Sequence, residues 1–244
     1  MQKKFRFKNM LVNALSPVWL LENKMATLTR NILKSSVKNN SHWLDLGCGL
    51  KPFAPSFNHA YYTGIDVEVS GRSDQLKKPD KYFNGINIPY EDNTFDGILC
   101  TQVLEHAENL DLLLAESNRV LKADGVLVVS VPFAFREHEQ PYDFRRFTSY
   151  GLMLVLSHNG FKMGSCLKCL SAIETIATLF SVYMSNNIGS RNKYLYVLTG
   201  GLVTLPVLVL SCLLSKILPD NRDLFCCLVA CSVKVNNLTD KVSL

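Results

Sequence analysis

Two carboxylates and two glycines carry the strongest chemical signal in the chain. Asp45 lies in an apolar run, Trp43-Leu44-Asp45-Leu46, that leads straight into Gly47-Cys48-Gly49, and Asp66 sits near the end of the next such run, seventeen residues beyond Gly49. Glycines at that spacing let backbone turn sharply and come close to a ligand, and an acid at the tip of the neighbouring strand can take both hydroxyls of a ribose. A dinucleotide fingerprint needs a third glycine where this chain has Pro52, and no Lys-Ser/Thr pair follows to cradle phosphates. The residues therefore favour a ligand with an adenosine and no phosphate, with a nicotinamide oxidoreductase as a distant alternative.

These groups have to be positioned by strands and helices in alternation. Met25, Leu28 and Ile32 recur at helical spacing between Glu22 and Val37, and Lys38-Asn39-Asn40-Ser41 breaks the pattern before the first strand. Only fourteen residues separate Leu46 from Tyr61, with Pro52 and Pro55 among them, so the first crossover has room for no more than a short or irregular helix. Tyr61–Val67 reads as the second strand, Tyr82–Tyr90 as a short third strand and its loop, and Asp96–Gln102 as the fourth. A helix capped by Asn109 keeps Leu110, Leu113, Leu114, Ser117, Val120 and Leu121 on one face until Asp124-Gly125 stops it. Val126–Pro132 is then too uniformly apolar to be half exposed. Thr148 or Ser149 opens a helix that Asn159-Gly160 ends, Phe161–Leu170 reads as a sixth strand, and Leu228–Val235 as the seventh.

Taken in order, Leu44-Asp45-Leu46-Gly47-Cys48-Gly49, Gly64-Ile65-Asp66, Ile88-Pro89-Tyr90 with Phe95-Asp96, Val103-Leu104-Glu105-His106, and Arg119-Val120-Leu121-Lys122 with Gly125 resemble the motif series of class I S-adenosylmethionine-dependent methyltransferases. The resemblance spans about residues 41 to 165. It implies an α/β fold with a doubly wound, mostly parallel seven-stranded sheet, here with an apolar helical insertion before the last strand, and a ligand at the carboxyl ends of the strands. It implies S-adenosyl-L-methionine as cofactor, held by Asp45, Gly47, Gly49 and Asp66. In that family an acid often precedes the proline of the third-strand loop and binds the adenine amino group. Asn84, Gly85 and Asn87 occupy the neighbourhood here, so Asn87 is the expected, neutral contact, and Gln102 at the end of the fourth strand is expected to touch the donor.

Beyond Pro132 the chain is dense in ionisable and aromatic residues, from Phe133 through His138 and Asp143 to Thr148. Its His, Pro, Asp-aromatic-Arg, aromatic-Thr series resembles methyltransferases associated with surface-polysaccharide biosynthesis. Methyl transfer to a hydroxyl gains from a general base, and His138, with Asp143 nearby, is the candidate catalytic pair. The other reading makes Asp143 with Arg145 or Arg146 a fold-fixing ion pair, and His106 a structural hydrogen-bonding group. The chemistry needs no metal. Cys166 and Cys169 are an odd step apart and face opposite sides of a strand, so no metal ligands are expected from them.

The domain division expected is a basic, amphipathic helical segment at 1–40 and a methyltransferase domain at 41–244, interrupted by apolar helices at about 171–222. Apolar content is 48% and the mean hydropathy +0.10, high for a freely soluble protein. Much of the net charge of +5 gathers in Lys3, Lys4, Arg6 and Lys8, which favours an anionic membrane surface over nucleic acid. Tyr196–Ser215 is twenty uncharged residues, long enough for a span, yet the seventh strand must return to the same sheet. A hairpin dipping into one leaflet, a pair of spans, or an insertion packed on the domain or a dimer partner all meet that demand. Eight cysteines with no secretory leader fit reduced thiols and a cytoplasmic protein. The expected partner is a small-molecule or lipid-linked sugar acceptor, and the function O-methylation of it. A membrane-associated adaptor that binds the cofactor without turnover is the alternative.

Overall fold

The computed structural model describes residues 16–71, 73 and 77–235. The basic cluster at Lys3–Lys8 and the aromatic residues beside it lie outside the described residues.

Seven strands form one sheet: β1 His42–Leu46, β2 Tyr61–Val67, β3 Lys81–Phe83, β4 Phe95–Thr101, β5 Leu121–Pro132, β6 Phe161–Cys169 and β7 Cys227–Lys234. Their spatial order is β3-β2-β1-β4-β5-β7-β6. The pairs β1/β2, β2/β3, β1/β4 and β4/β5 are parallel, and β7 runs antiparallel to β5. The chain progresses outward from β1 to β3, then restarts beside β1 with β4. That reversal opens a crevice at the carboxyl ends of β1 and β4, where open α/β sheets bind ligands. The sheet is the expected doubly wound, mostly parallel fold.

Burial on both faces explains the apolar strands. Leu44, Leu46, Ile65, Ile98, Leu99 and Val128 are fully buried, as a parallel core demands. Trp43 fits only because Gly97 lies opposite it in register: a Cβ at Gly97 would stand 2.5 Å from the indole ring. Gly97→Ala should therefore lower stability by roughly 1–3 kcal/mol through overpacking, read as a shift in denaturant midpoint with an unchanged slope.

The helices follow their expected positions with three differences. Helix α1, Trp19–Ser36, begins three residues before Glu22. Helix α2, Leu110–Val120, ends before Leu121, which is already extended and pairs with Phe95, so sheet pairing overrides its place on the helical face. Asn109 stands at the cap of α2 but its side chain makes no capping bond, whereas Thr148 accepts from the Gly151 amide at the start of α3, Ser149–His158. The first crossover holds only a 3-10 turn, Ala54–Phe57, as its length and prolines require.

The chain divides into two compact units, Thr27–Leu167 with Cys227–Leu244, and Met1–Ala26 with Lys168–Cys226. In the second unit α4, Ala172–Asn187, opens on a capping box of Ser171 and Glu174. Glu174 is 2% exposed and accepts from Lys24 Nζ at 2.6 Å and Ser215 Oγ at 3.1 Å. Helix α5, Lys193–Leu214, is a 22-residue run that widens to a π turn over Gly200–Thr204. Pro206 has no amide to offer the preceding turn, which accounts for the widening there.

Candidate functional site

The turn after β1 is held by main chain. Gly47 and Cys48 donate to the Ile65 carbonyl at 2.8 and 3.0 Å, and Lys78 donates to Gly49 O at 2.8 Å. Gly47 has φ +73 and Gly49 φ +50, and a Cβ on Gly47 would stand 2.3 Å from Val103 Cγ2. Glycine at 47 is thus required by conformation and by space together. Lys51, also at positive φ, pairs with Asp80 at 2.5 Å, and Asp80 accepts from Gly64 N at 2.7 Å.

Asp66 is buried at the tip of β2, its Oδ2 accepting from Gly49 N at 2.9 Å and its Oδ1 from Val67 N at 2.8 Å. Each oxygen keeps a second lone pair, so the carboxylate that fixes the glycine turn can still receive two hydroxyls. Asp45 is 1% exposed; Tyr62 donates to its Oδ2 at 2.5 Å, and Oδ1 is buried without a hydrogen-bond partner. Burial pushes the Asp45 carboxyl up to about 7, against the Tyr62 hydrogen bond and with the help of the Asp66 charge. Burial likewise pushes the Cys48 thiol up to about 12, so it is an unreactive part of the turn.

The sign of the Asp45 shift gives a pH dependence. Its folded value lies above the ordinary 3.8, so the ligand-free protein loses stability as pH rises from about 4 to about 7. Melting curves should show Asp45→Asn gaining on the parent across that window and levelling off above it.

Gln102 ends β4 at φ +54; its amide nitrogen donates to Ser130 Oγ at 3.2 Å and its main chain to Ser130 O at 2.9 Å. Asn87 lies in the loop after β3, exposed, with its main-chain N–H bonded to Asn84 Oδ1 at 2.8 Å. Among the described residues no hydrogen bond joins its side chain to the glycine turn. Gly85 in the same loop packs near Val67, a built Cβ falling 3.5 Å from Val67 Cγ1, which places the loop beside the tip of β2. What holds that loop is Arg119. It donates to Ile88 O and Tyr90 O at 2.9 Å each, and pairs with Asp92 and Glu116 at 2.7 Å. Two of the four partners of Arg119 are carbonyl oxygens, and these, which fix it to the loop, leave no mark in side-chain spacing.

The segment Val103–His106 joins this crevice to the ionisable loop beyond β5. Val103 packs on Gly47, His106 N donates to Val103 O at 2.9 Å, and the His106 and His138 rings meet edge to face at 4.9 Å. Asp143 is clamped by Arg146 at 2.5 and 2.7 Å and accepts the His138 amide at 2.8 Å, while Arg145 turns away to the carbonyls of Ala107 and Glu108. Arg146 is therefore the ion-pair partner, and its guanidinium holds the Asp143 carboxyl well below the usual carboxylate range. His138 Nδ1 lies 3.2 Å from Asp143 Oδ2, off the line of a hydrogen bond. Burial, opposed by Asp143, lowers the His138 pKa and keeps the imidazole neutral near pH 7. Glu105 is fully buried, which pushes its carboxyl up to about 8.

Residues 44–129 match the family described as a methyltransferase domain. They are a class I methyltransferase domain. The chain is 32% identical over 139 residues to an uncharacterized protein of Methanocaldococcus jannaschii, covering 51% of this chain and 60% of that one. It is 30% identical over 120 residues to (S)-coclaurine N-methyltransferase of Papaver somniferum, covering 44% and 34%. The match thus spans 60% or less of these curated relatives' own lengths. The structure resembles that of Burkholderia thailandensis 1,6-didemethyltoxoflavin-N1-methyltransferase with a TM-score of 0.55 at 15% identity, over 90% of this chain and 81% of that one. That likeness is one of fold. The methyltransferase domain takes S-adenosyl-L-methionine as its cofactor. The site fits it: the unpartnered Asp45 Oδ1 suits a cationic ligand, and Asp66 retains acceptors for a ribose.

Proposed function

We propose that the protein is an S-adenosylmethionine-dependent methyltransferase that methylates an oxygen of a sugar or lipid-linked glycan. The observation that carries it is the continuity of the glycine turn and Asp66 with the His138 loop through Val103–His106. The bound cofactor supplies a methyl carbon already activated on a sulfonium. Asp66 would hold the ribose hydroxyls, the bare backbone at Gly47 and Gly49 would let the nucleoside approach, Asp45 would meet the cationic end, and Gln102 and Asn87 would contact the donor and its adenine. With the donor activated, most of the remaining help is positioning in a site that excludes water. His138, neutral and next to solvent, accepts the proton of the acceptor hydroxyl, and Asp143 with Arg146 positions its loop.

The partner that best suits this reading is a lipid-linked acceptor at the cytoplasmic face of a membrane. Only 28% of the most apolar window of α5 is buried within the chain, and Val197, Leu198, Leu202, Leu210 and Leu213 are exposed on it. Ile176, Phe180 and Tyr183 form an exposed apolar stripe on α4 at helical spacing. Vesicles of anionic phospholipid should float the full-length protein, and recovery wholly in the soluble layer would remove the membrane from this reading. Labelled S-adenosylmethionine offered with lipid-linked and free sugars tests turnover directly. Label transferred to a hydroxyl supports the proposal. Cofactor binding with no transfer across the panel favours an adaptor, a reading to which the missing third-strand acid lends some support.

A further inference from the structure

Three side chains beside the acceptor loop each have a buried polar atom that meets no hydrogen-bond partner. Glu105 is fully buried, yet neither of its carboxylate oxygens meets a hydrogen-bond donor. His106 Nε2, 3.9 Å from Glu105 Oε1, is also buried and unpartnered, while Nδ1 of the same ring lies 2.7 Å from the Tyr142 carbonyl oxygen. A carbonyl only accepts, so that contact puts the ring proton on Nδ1 and leaves the Nε2 lone pair beside the carboxylate. His138 completes the group: one potential ligand atom from each of the three residues lies within 4.8 Å of the others. Once ionised, a buried carboxylate that meets no donor beside an imidazole lone pair is a costly arrangement, and a cation held between the two would relieve it.

We infer that Glu105, His106 and His138 bind a divalent transition-metal ion of the class that takes mixed imidazole and carboxylate ligands, such as Zn2+, Mn2+ or Co2+. Three atoms within 4.8 Å of one another have a common centre no more than about 2.8 Å from each, so bonds of roughly 2.0–2.2 Å require inward shifts of less than about 1 Å. An outer partner is in place on His106, whose Nδ1 lies on the Tyr142 carbonyl, and the Arg146-clamped Asp143 stands 3.2 Å from His138 Nδ1 without a hydrogen bond. Both rings keep solvent contact, at 15% and 19% side-chain exposure, which gives the ion a route in. Three protein ligands leave a position for water or a substrate oxygen. Given the methyl-transfer reading above, on which this role rests, the ion binds the acceptor hydroxyl and promotes loss of its proton to solvent. The oxygen's electron pair then forms the new bond to the methyl carbon as the carbon–sulfur bond breaks and its pair passes to sulfur, leaving a neutral thioether; here His138 acts as an ion ligand and the proton goes to solvent rather than to its ring.

The test is metal loading of the full-length protein after chelator treatment. Dialysis against Co2+ should leave one equivalent per chain with visible d–d absorption, raise the melting temperature reversibly to chelator, and fail in both Glu105→Gln and His106→Asn. Adenosylhomocysteine binding, measured in parallel, should survive in both variants. A parent that binds adenosylhomocysteine and melts cooperatively but retains neither Co2+ nor Zn2+ overturns the inference, as does retention of Co2+ by both variants. Metal bound without adenosylhomocysteine would leave the ion site standing and remove only its role in methyl transfer.

Discussion

Replacing Asp66 with alanine should weaken adenosylhomocysteine binding by roughly 100-fold or more in titration calorimetry, at about 1.5–3 kcal/mol for each charge-assisted hydrogen bond lost to the ribose. The loss has a second source within the protein. Asp66 also accepts from the Gly49 and Val67 amides, so its removal frees the turn that must lie against the nucleoside. Melting temperature separates the two contributions. A drop of a few degrees with affinity weakened roughly 100-fold or more is the expected pattern, since the β1/β2 register does not depend on that carboxylate. Affinity equal to the parent's would show that the nucleoside does not sit at this strand tip.

The second large effect belongs to His138. His138→Asn should lower kcat by about 100- to 10,000-fold while the donor's dissociation constant stays within a few-fold of the parent. The drop is expected whether the imidazole takes the proton itself or holds an ion that promotes its release. Asp143 acts at one remove: its oxygens are occupied by Arg146 and by the His138 amide. Asp143→Asn should therefore lower kcat less than His138→Asn does and raise the acceptor's KM, as expected when a loop loses its anchor.

The central strands were legible because β1, β4 and β5 are apolar runs largely buried on both faces, whereas β3, three mostly exposed residues at the sheet edge, shows only as a short run. The short first crossover was legible from Pro52 and Pro55, and the glycine turn from its spacing. What stayed hidden depends on through-space pairing. Leu121 matches the helical face of α2 in sequence but is extended by its pairing with Phe95. The choice between Arg145 and Arg146 for Asp143 could not be made from adjacency, since the two side chains point to different loops. Glu105 stood out in sequence only as part of the Val103-Leu104-Glu105-His106 motif, and its complete burial beside two imidazoles shows only in the fold. Arg119 clamps the loop that carries Asn87 through carbonyl oxygens, which leave no mark in side-chain spacing.

A crystal structure of the protein with adenosylhomocysteine tests the central claim most directly. The account predicts the ribose hydroxyls on Asp66, backbone at Gly47 and Gly49 in contact with the nucleoside, and the homocysteine amine toward Asp45. A nucleoside bound elsewhere on the sheet, with Asp66 contacting only main-chain amides, would contradict it.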